Sequence, residues 1–262
     1  MNLIKILQNK LQESPDETNI DVKITRYLLN HINDPKLSVG QIATDNYASK
    51  ATISRFFKEL GYNSFRDFQI EHQNFLAIDR QEVLVDFHSS TVRDVTKEGE
   101  FIRHNFDLIL QDLQQFRDEL ELSDLAYLAD QIKTKERIYL YATGIPGEMA
   151  SILQYHFLTV GKLVEYYPII SDQIESASQL QETDLAIFIS LEGSHVMTKE
   201  LTLSVTNSMA ESVLLTQNPT MKFSANFKKV ICLGSHSHPQ SGKYKLLFFI
   251  ETLLHHYFVK YL

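Results

Sequence analysis

Cysteine is nearly absent from this chain: of 262 residues, only Cys232 carries a thiol. A single cysteine excludes a disulfide framework, and within one chain it excludes a cysteine-based zinc site. Its setting, Val230-Ile231-Cys232-Leu233, predicts a buried, inert thiol. No stretch resembles a signal peptide and no apolar run reaches spanning length, so the expectation is a soluble cytoplasmic protein without a membrane partner. Walker loop, G-x-G-x-x-G and nucleophile elbow are missing too, and no catalytic residue or cofactor is assigned. No metal site is expected either. The histidine-rich stretches Ser235-His236-Ser237-His238 and His255-His256 lack a visible convergent ligand set and read as loop and helix-end histidines.

Basic excess is also lacking, since the net charge is -8. Residues 1–80 hold ten Lys+Arg and ten Asp+Glu, and the remainder carries the whole deficit. Affinity for a polyanion would therefore depend on where individual cations sit and on salt. What the chain does have is 44% hydrophobic residues, enough for an ordinary core in one large or two modest domains.

The most informative stretch is YASKATISRFFKELGY, residues 47–62. Ile53, Phe56, Phe57 and Leu60 recur at helical spacing, Ser49 can cap the helix start, and Gly61 suits a left-handed stop. The opposite face carries Lys50, Thr52, Ser54, Arg55 and Lys58. Short hydroxyls reach phosphates or base edges, and long cations pair with phosphate or guanine, so this face suits a DNA major groove. Leu37 to Ala43 reads as a short preceding helix capped by Ser38, with a turn at Asp45-Asn46-Tyr47-Ala48; together these make a helix-turn-helix. The DNA-contacting set is Ser49, Lys50, Thr52, Ser54, Arg55 and Lys58, with Ser49 and Lys58 toward the backbone.

LSVGQIATDNYASKATISRFFKELGYNSFRDFQ resembles the N-terminal domain of the RpiR family of bacterial transcription regulators. S-K-A-T-I-S-R-F and the following L-G-Y-x-S-F-x-x-F lie in register over about residues 20–75. The resemblance implies a C-terminal sugar isomerase (SIS) domain that senses phosphosugars; the apolar final helix, in turn, predicts a homodimer that binds a roughly palindromic DNA operator.

The rest of the chain has the order this requires. Helices are expected at residues 1–11, 18–33 and from Ser64, where Phe65, Phe68 and Ile70 should pack. A linker covers 79–100, with a hinge at about 85–100. From Glu100 a stripe of Phe101, Phe106, Ile109, Leu110, Leu113 and Phe116 predicts a helix, and Ser123 is placed as cap of the next one, Asp124 to Lys133. Apolar strands are expected at 137–142, 163–167, 184–190, 212–216 and 229–233, alternating with helices at 148–160 and about 196–209. A strongly apolar helix from Gly242 to Leu262 closes the chain and must be buried inside the domain or between subunits. The fold class is thus α + α/β: an all-helical helix-turn-helix domain over 1–78, then a SIS-type parallel sheet flanked by helices over 101–262.

In such sheets ligands lie at the C-terminal strand ends, where helix N-termini favour phosphate. The candidate loops supply Thr143, Gly144 and Gly147, then Ser190, Glu192, Gly193, Ser194 and His195. The resemblance implies a serine in the first loop and S-x-S-G-x-T in the second. Here the first-loop position is Pro146, and Glu192 and His195 replace a serine and the threonine. A carboxylate within a few ångströms of phosphate costs roughly 1–4 kcal/mol. Three readings stay open: an altered ligand such as an amino or neutral sugar, a phosphosugar held by Thr143, Ser190, Ser194, His195 and backbone amides, or a domain that only dimerises. A sugar-phosphate isomerase is the competing class, although Glu192 then stands where phosphate would bind and the helix-turn-helix has no role.

Overall fold

A computed structural model describes residues 3–79, 98–192, 199–234 and 241–262. The chain divides into two compact units, Met1–Ser90 and Thr91–Leu262. The expected hinge falls largely in 80–97, outside the described residues, as do Ser235 to His238.

The first unit is helical: α1 Leu3–Gln12, α2 Ile20–Asn30, α3 Val39–Asp45, α4 Lys50–Glu59 and α5 Phe65–Asn74, which runs on into a π-helical turn, Phe75–Asp79. Polar caps set four of these starts. Asn19, Ser38, Ser49 and Ser64 each accept a backbone N–H of the first turn, from Asp21, Gln41, Thr52 and Asp67. Leu3, Leu7, Ile24, Leu28, Ile42, Ile53, Phe56, Phe57 and Phe68 form the core. Phe57 is its hub, with ring centroids 4.5 Å from Phe68, 5.1 Å from Phe65 and 6.4 Å from Tyr62. The expected packing of Ile70 is corrected: it is 55% exposed. The inward face of α5 runs Phe65, Phe68, His72, and two residues past Phe68 lies nearly opposite on a helix. Buried His72 takes that place instead, its Nε2 2.6 Å from the Ile32 carbonyl.

The second unit begins with α6 Glu98–Glu119 and α7 Leu122–Thr134. There follow β1 Ile138–Tyr141, α8 Gly144–Thr159, β2 Val164–Tyr166, α9 Ile170–Ala177, β3 Leu185–Ile189, α10 Lys199–Thr206, β4 Glu211–Thr216, β5 Lys229–Cys232 and α11 Gly242–Tyr261. All strand pairings are parallel, in the order β2-β1-β3-β4-β5. Leu185 to Ile189 are buried without interruption, as a central parallel strand covered on both faces must be. α7, α8 and α11 cover one face, with Leu128, Leu153, Phe157, Phe249 and Leu253 at the core; α9 and α10 cover the other over Tyr141, Phe188 and Leu201.

Three expectations change here. Glu121, not Ser123, occupies the cap position of α7, and it makes no side-chain capping bond. The expected stripe on α6 is buried at Phe116 and half-buried at Ile109 and Leu113, but Phe106 and Leu110 are exposed, and the Phe101 side chain lies outside the described residues. Cys232 is exposed rather than buried. β5 is the edge strand, and alternation sends Ile231 into the core and Cys232 outward.

Candidate functional site

The helix-turn-helix is built by α3, its turn and α4. Tyr47 takes a positive φ of 53° in the turn, and its side chain is 99% exposed. Ala48 N closes the turn on the Ala43 carbonyl at 2.9 Å. Ser49 Oγ accepts from Thr52 N at 3.0 Å and lies 2.9 Å from Thr52 Oγ1, so these two hydroxyls cap the helix together. Gly61, at φ 91°, ends the segment in the left-handed region that a Cβ disfavours.

The apolar side of α4 is locked down: Ile53, Phe56 and Phe57 are buried. Ser49, Lys50, Ser54, Arg55 and Lys58 are exposed, and Thr52 is half-buried. The six sequence-predicted positions therefore share one open strip. Arg55 Nε stands 3.6 Å from Glu59 Oε1, and Glu59 also lies 3.8 Å from Lys10 Nζ. Exposed pairs of this kind contribute little, so Glu59 leaves Arg55 free to turn to another anion. Sequence reasoning placed Tyr47 only in a turn; its full exposure adds an aromatic ring beside the strip. A non-glycine residue between two caps was the signal available.

In the second unit the strand order reverses between β1 and β3, where ligand crevices open in such sheets. Tyr141 pairs with Phe188, so the same register carried on sets Thr143 against Ser190. The two expected loops thus meet at one place. Thr143 is the N-cap of α8 and makes no side-chain capping bond. Gly144 has a φ of 61°, which favours glycine, and α8 begins there, four residues ahead of its expected start at 148. Pro146 and Gly147 consequently belong to the first turn of α8 rather than to a loop. Gly147 is buried, and a Cβ on it would fall on Tyr166 Oη, with Tyr166 Cζ at 3.4 Å. Desolvation raises the Tyr166 pKa well above the ordinary phenol value, so the ring meets the helix start as a neutral donor.

Ser190 is buried; its N–H bonds the Leu215 carbonyl at 3.1 Å, and its hydroxyl has no partner among the described residues. Glu192 is half-buried, and Asn218 Nδ2 donates to its carbonyl at 3.4 Å. Gly193, Ser194 and His195 lie outside the described residues. Gln173 of α9 was not foreseen. Its Nε2 donates to Ala142 O at 2.8 Å and to Tyr167 O at 2.7 Å, tying the ends of β1 and β2 together, while its buried Oε1 has no partner among the described residues. A groove of about 490 Å³ opens elsewhere, at the ends of β4 and β5, between Glu119, Gln217, Pro219 and Cys232. Uncommitted polar groups gather instead at the switch point, where Thr143, Ser190 and Gln173 lie. Among the described residues no three His, Cys, Asp or Glu side chains are grouped to hold a metal ion, and no helix is long and apolar enough to cross a membrane.

A family model of the rpiR-family helix-turn-helix domain matches residues 1–78, and one of the SIS domain matches 131–255. An uncharacterized HTH-type transcriptional regulator of Clostridium perfringens is 25% identical over 125 residues, 47% of this chain and 43% of that protein. An HTH-type transcriptional regulator of Providencia stuartii is 21% identical over 172 residues, 65% and 60% of the two chains. The chain thus spans less than two thirds of the length of these curated relatives. Among solved structures, the NanR protein of Vibrio vulnificus complexed with ManNAc-6P shares the fold, with a TM-score of 0.55 at 18% identity over 99% of this chain and 92% of that one. The chain thus joins a helix-turn-helix domain of the rpiR family to a SIS domain.

Proposed function

We propose that the chain is a DNA-binding transcription regulator of carbohydrate-metabolism genes, acting as a homodimer on double-stranded operator DNA. Residues 1–78 read the DNA, 79–100 link, and 101–262 hold a sugar phosphate or related effector. The observation that carries this reading is the open strip on α4: five exposed hydroxyls and cations on one side, and Ile53, Phe56 and Phe57 fixing the other. A helix so anchored presents Lys50, Ser54 and Arg55 at a constant orientation, which groove recognition requires. Ser49 and Lys58 contact the phosphate backbone, and Thr52 reaches the groove edge. The protein works in the cytoplasm, without catalysis.

Thr143, Gly144, Gly147, Ser190, Glu192, Gly193, Ser194 and His195 are the effector-binding set. The N-terminus of α8 favours an anion there. The complex of the Vibrio vulnificus protein with ManNAc-6P supports this ligand class. Exposed Ile152 and Tyr155 on α8 and Phe248 and Val259 on α11 supply apolar surface for a second copy.

The test is binding of the full chain to a duplex selected from a random library. Affinity should fall steeply with salt, and Arg55→Ala should cost about 1–3 kcal/mol with relaxed preference at one base pair. Salt-insensitive binding, or none, removes the reading. Isomerase turnover on aldose and ketose phosphates would favour an enzyme instead, and a monomer by light scattering would count against the homodimer.

A further inference from the structure

The second unit contains a buried ion pair that its core does not explain. Asp112 of α6 and Lys245 of α11 are 2% and 1% exposed, with Nζ 2.8 Å from Asp112 Oδ2. Ser241 Oγ donates to the same oxygen, while Asp112 Oδ1 has no partner among the described residues. Taking both charges out of water costs more than their attraction returns unless the geometry is good, and apolar side chains of similar volume often serve stability as well. The pair's clearest effect is on position.

What it positions is the first turn of α11. Gly242 lies so close to the sheet that a Cβ on it would fall on Gln217 Oε1, with Gln217 Cδ at 2.8 Å and Leu191 Cδ1 at 3.3 Å. Gln217 N and Thr216 Oγ1 both donate to the Leu191 carbonyl, at 3.0 and 3.1 Å. Leu191 stands between Ser190 and Glu192 in the effector loop. A continuous set of contacts therefore runs from that loop through Leu191 and Gln217 to Gly242, one turn along to Lys245, and across to Asp112.

Asp112 sits on the helix by which the chain enters this unit from residues 1–79. The upstream half of α6 is weakly held, since Phe106 is 63% and Leu110 55% exposed. Phe116 in the core and Asp112 in the pair fix its position. Resting on the functional reading above, we propose that the Asp112–Lys245 pair is a positioning lock that couples effector binding at Ser190–Glu192 to α6, and through it to the DNA-binding unit. A buried charge pair does not yield gradually: a strand-end shift either carries both partners or parts them. Packed elements of this kind turn sub-ångström displacements into discrete alternatives, and an effector acts by favouring one of them.

The test uses the full chain, a duplex selected from a random library, and ManNAc-6P, glucosamine 6-phosphate, glucose 6-phosphate and fructose 6-phosphate as probes. At least one probe should change the duplex Kd of the wild type by about fivefold or more. The neutralised variant D112N/K245M should bind the duplex and that probe as the wild type does, yet shift its duplex Kd by less than about twofold, a change of the coupling itself. A merely structural role would alter melting temperature and leave the shift intact, and that result overturns the lock. So does a panel that leaves wild-type duplex affinity unchanged. Wild type that binds no duplex at all overturns the functional reading instead. Hydrogen exchange along α6 of the wild type, with and without the probe, gives a second measure should the variant fail to fold: altered protection at 102–112 is expected, and unaltered protection overturns the lock.

Discussion

Gly147→Ala probes the start of α8 in a way that separates helix propensity from packing. Gly147 is helical with no positive φ, so alanine there should gain about 0.5–1 kcal/mol from backbone entropy. Against this, the new Cβ falls on Tyr166 Oη, and Tyr166 packs against the core beneath. Overpacking of this sort costs about 1–3 kcal/mol, so the net expectation is a loss of about 1 kcal/mol and at most about 2.5 kcal/mol, or about 2–10 °C in the transition of the second unit. Tyr166→Phe removes the obstructing oxygen and gives up only a 3.4 Å bond to the Ala142 carbonyl. Cζ remains 3.4 Å from the Cβ position, an ordinary contact. In the Phe background the same Gly147→Ala change should therefore be neutral or stabilising, an interaction energy of about 1–3 kcal/mol between the two sites. The chain has no tryptophan, so unfolding is best followed by far-UV circular dichroism alongside calorimetry, which resolves the two units. Equal cost of Gly147→Ala in both backgrounds would refute the steric argument. Neutrality in the Tyr background would show that the ring swings aside freely.

Three further outcomes are expected. Phe57→Ala, at the centre of the aromatic cluster of the first unit, should destabilise that unit by about 3–5 kcal/mol in urea titration, and should abolish duplex binding by unfolding the support of α4. Ser49→Ala removes the cap on Thr52 N and should cost about 0.5–2 kcal/mol in the thermal transition of the first unit. Lys245→Met alone strands Asp112 without its counter-charge and should cost about 3–5 kcal/mol by calorimetry, whereas D112N/K245M should recover most of that loss.

Periodicity carried the fold a long way. The stripe Ile53, Phe56, Phe57, Leu60 needs only the helical repeat to be recognised, and the serines before α3, α4 and α5 mark starts that the backbone then uses. The inner strands were legible because a central parallel strand must be apolar on both faces, which leaves uninterrupted runs such as LAIFI. Errors arose where a local pattern had no access to its neighbours. Ile70 and Phe106 look like core residues along the chain, yet they stay 55% and 63% exposed among the described residues. Cys232 sits in an apolar run, but the run is an edge strand, and strand order is not written in local composition.

The sequence by itself determined the two-part plan, the apolar and polar faces of α4 and two candidate loops that each follow an apolar strand. These depend on spacing within one element or on the order of elements, and both are local information. Only the tertiary structure decided that β1 lies beside β3, so that the loops after them share one end of the sheet, that Gln173 ties two strand ends, and that Asp112 reaches Lys245 across 133 positions of chain. Those meetings are set by strand register and by how helices seat on the sheet, which emerge from the packing of the whole unit rather than from any one segment.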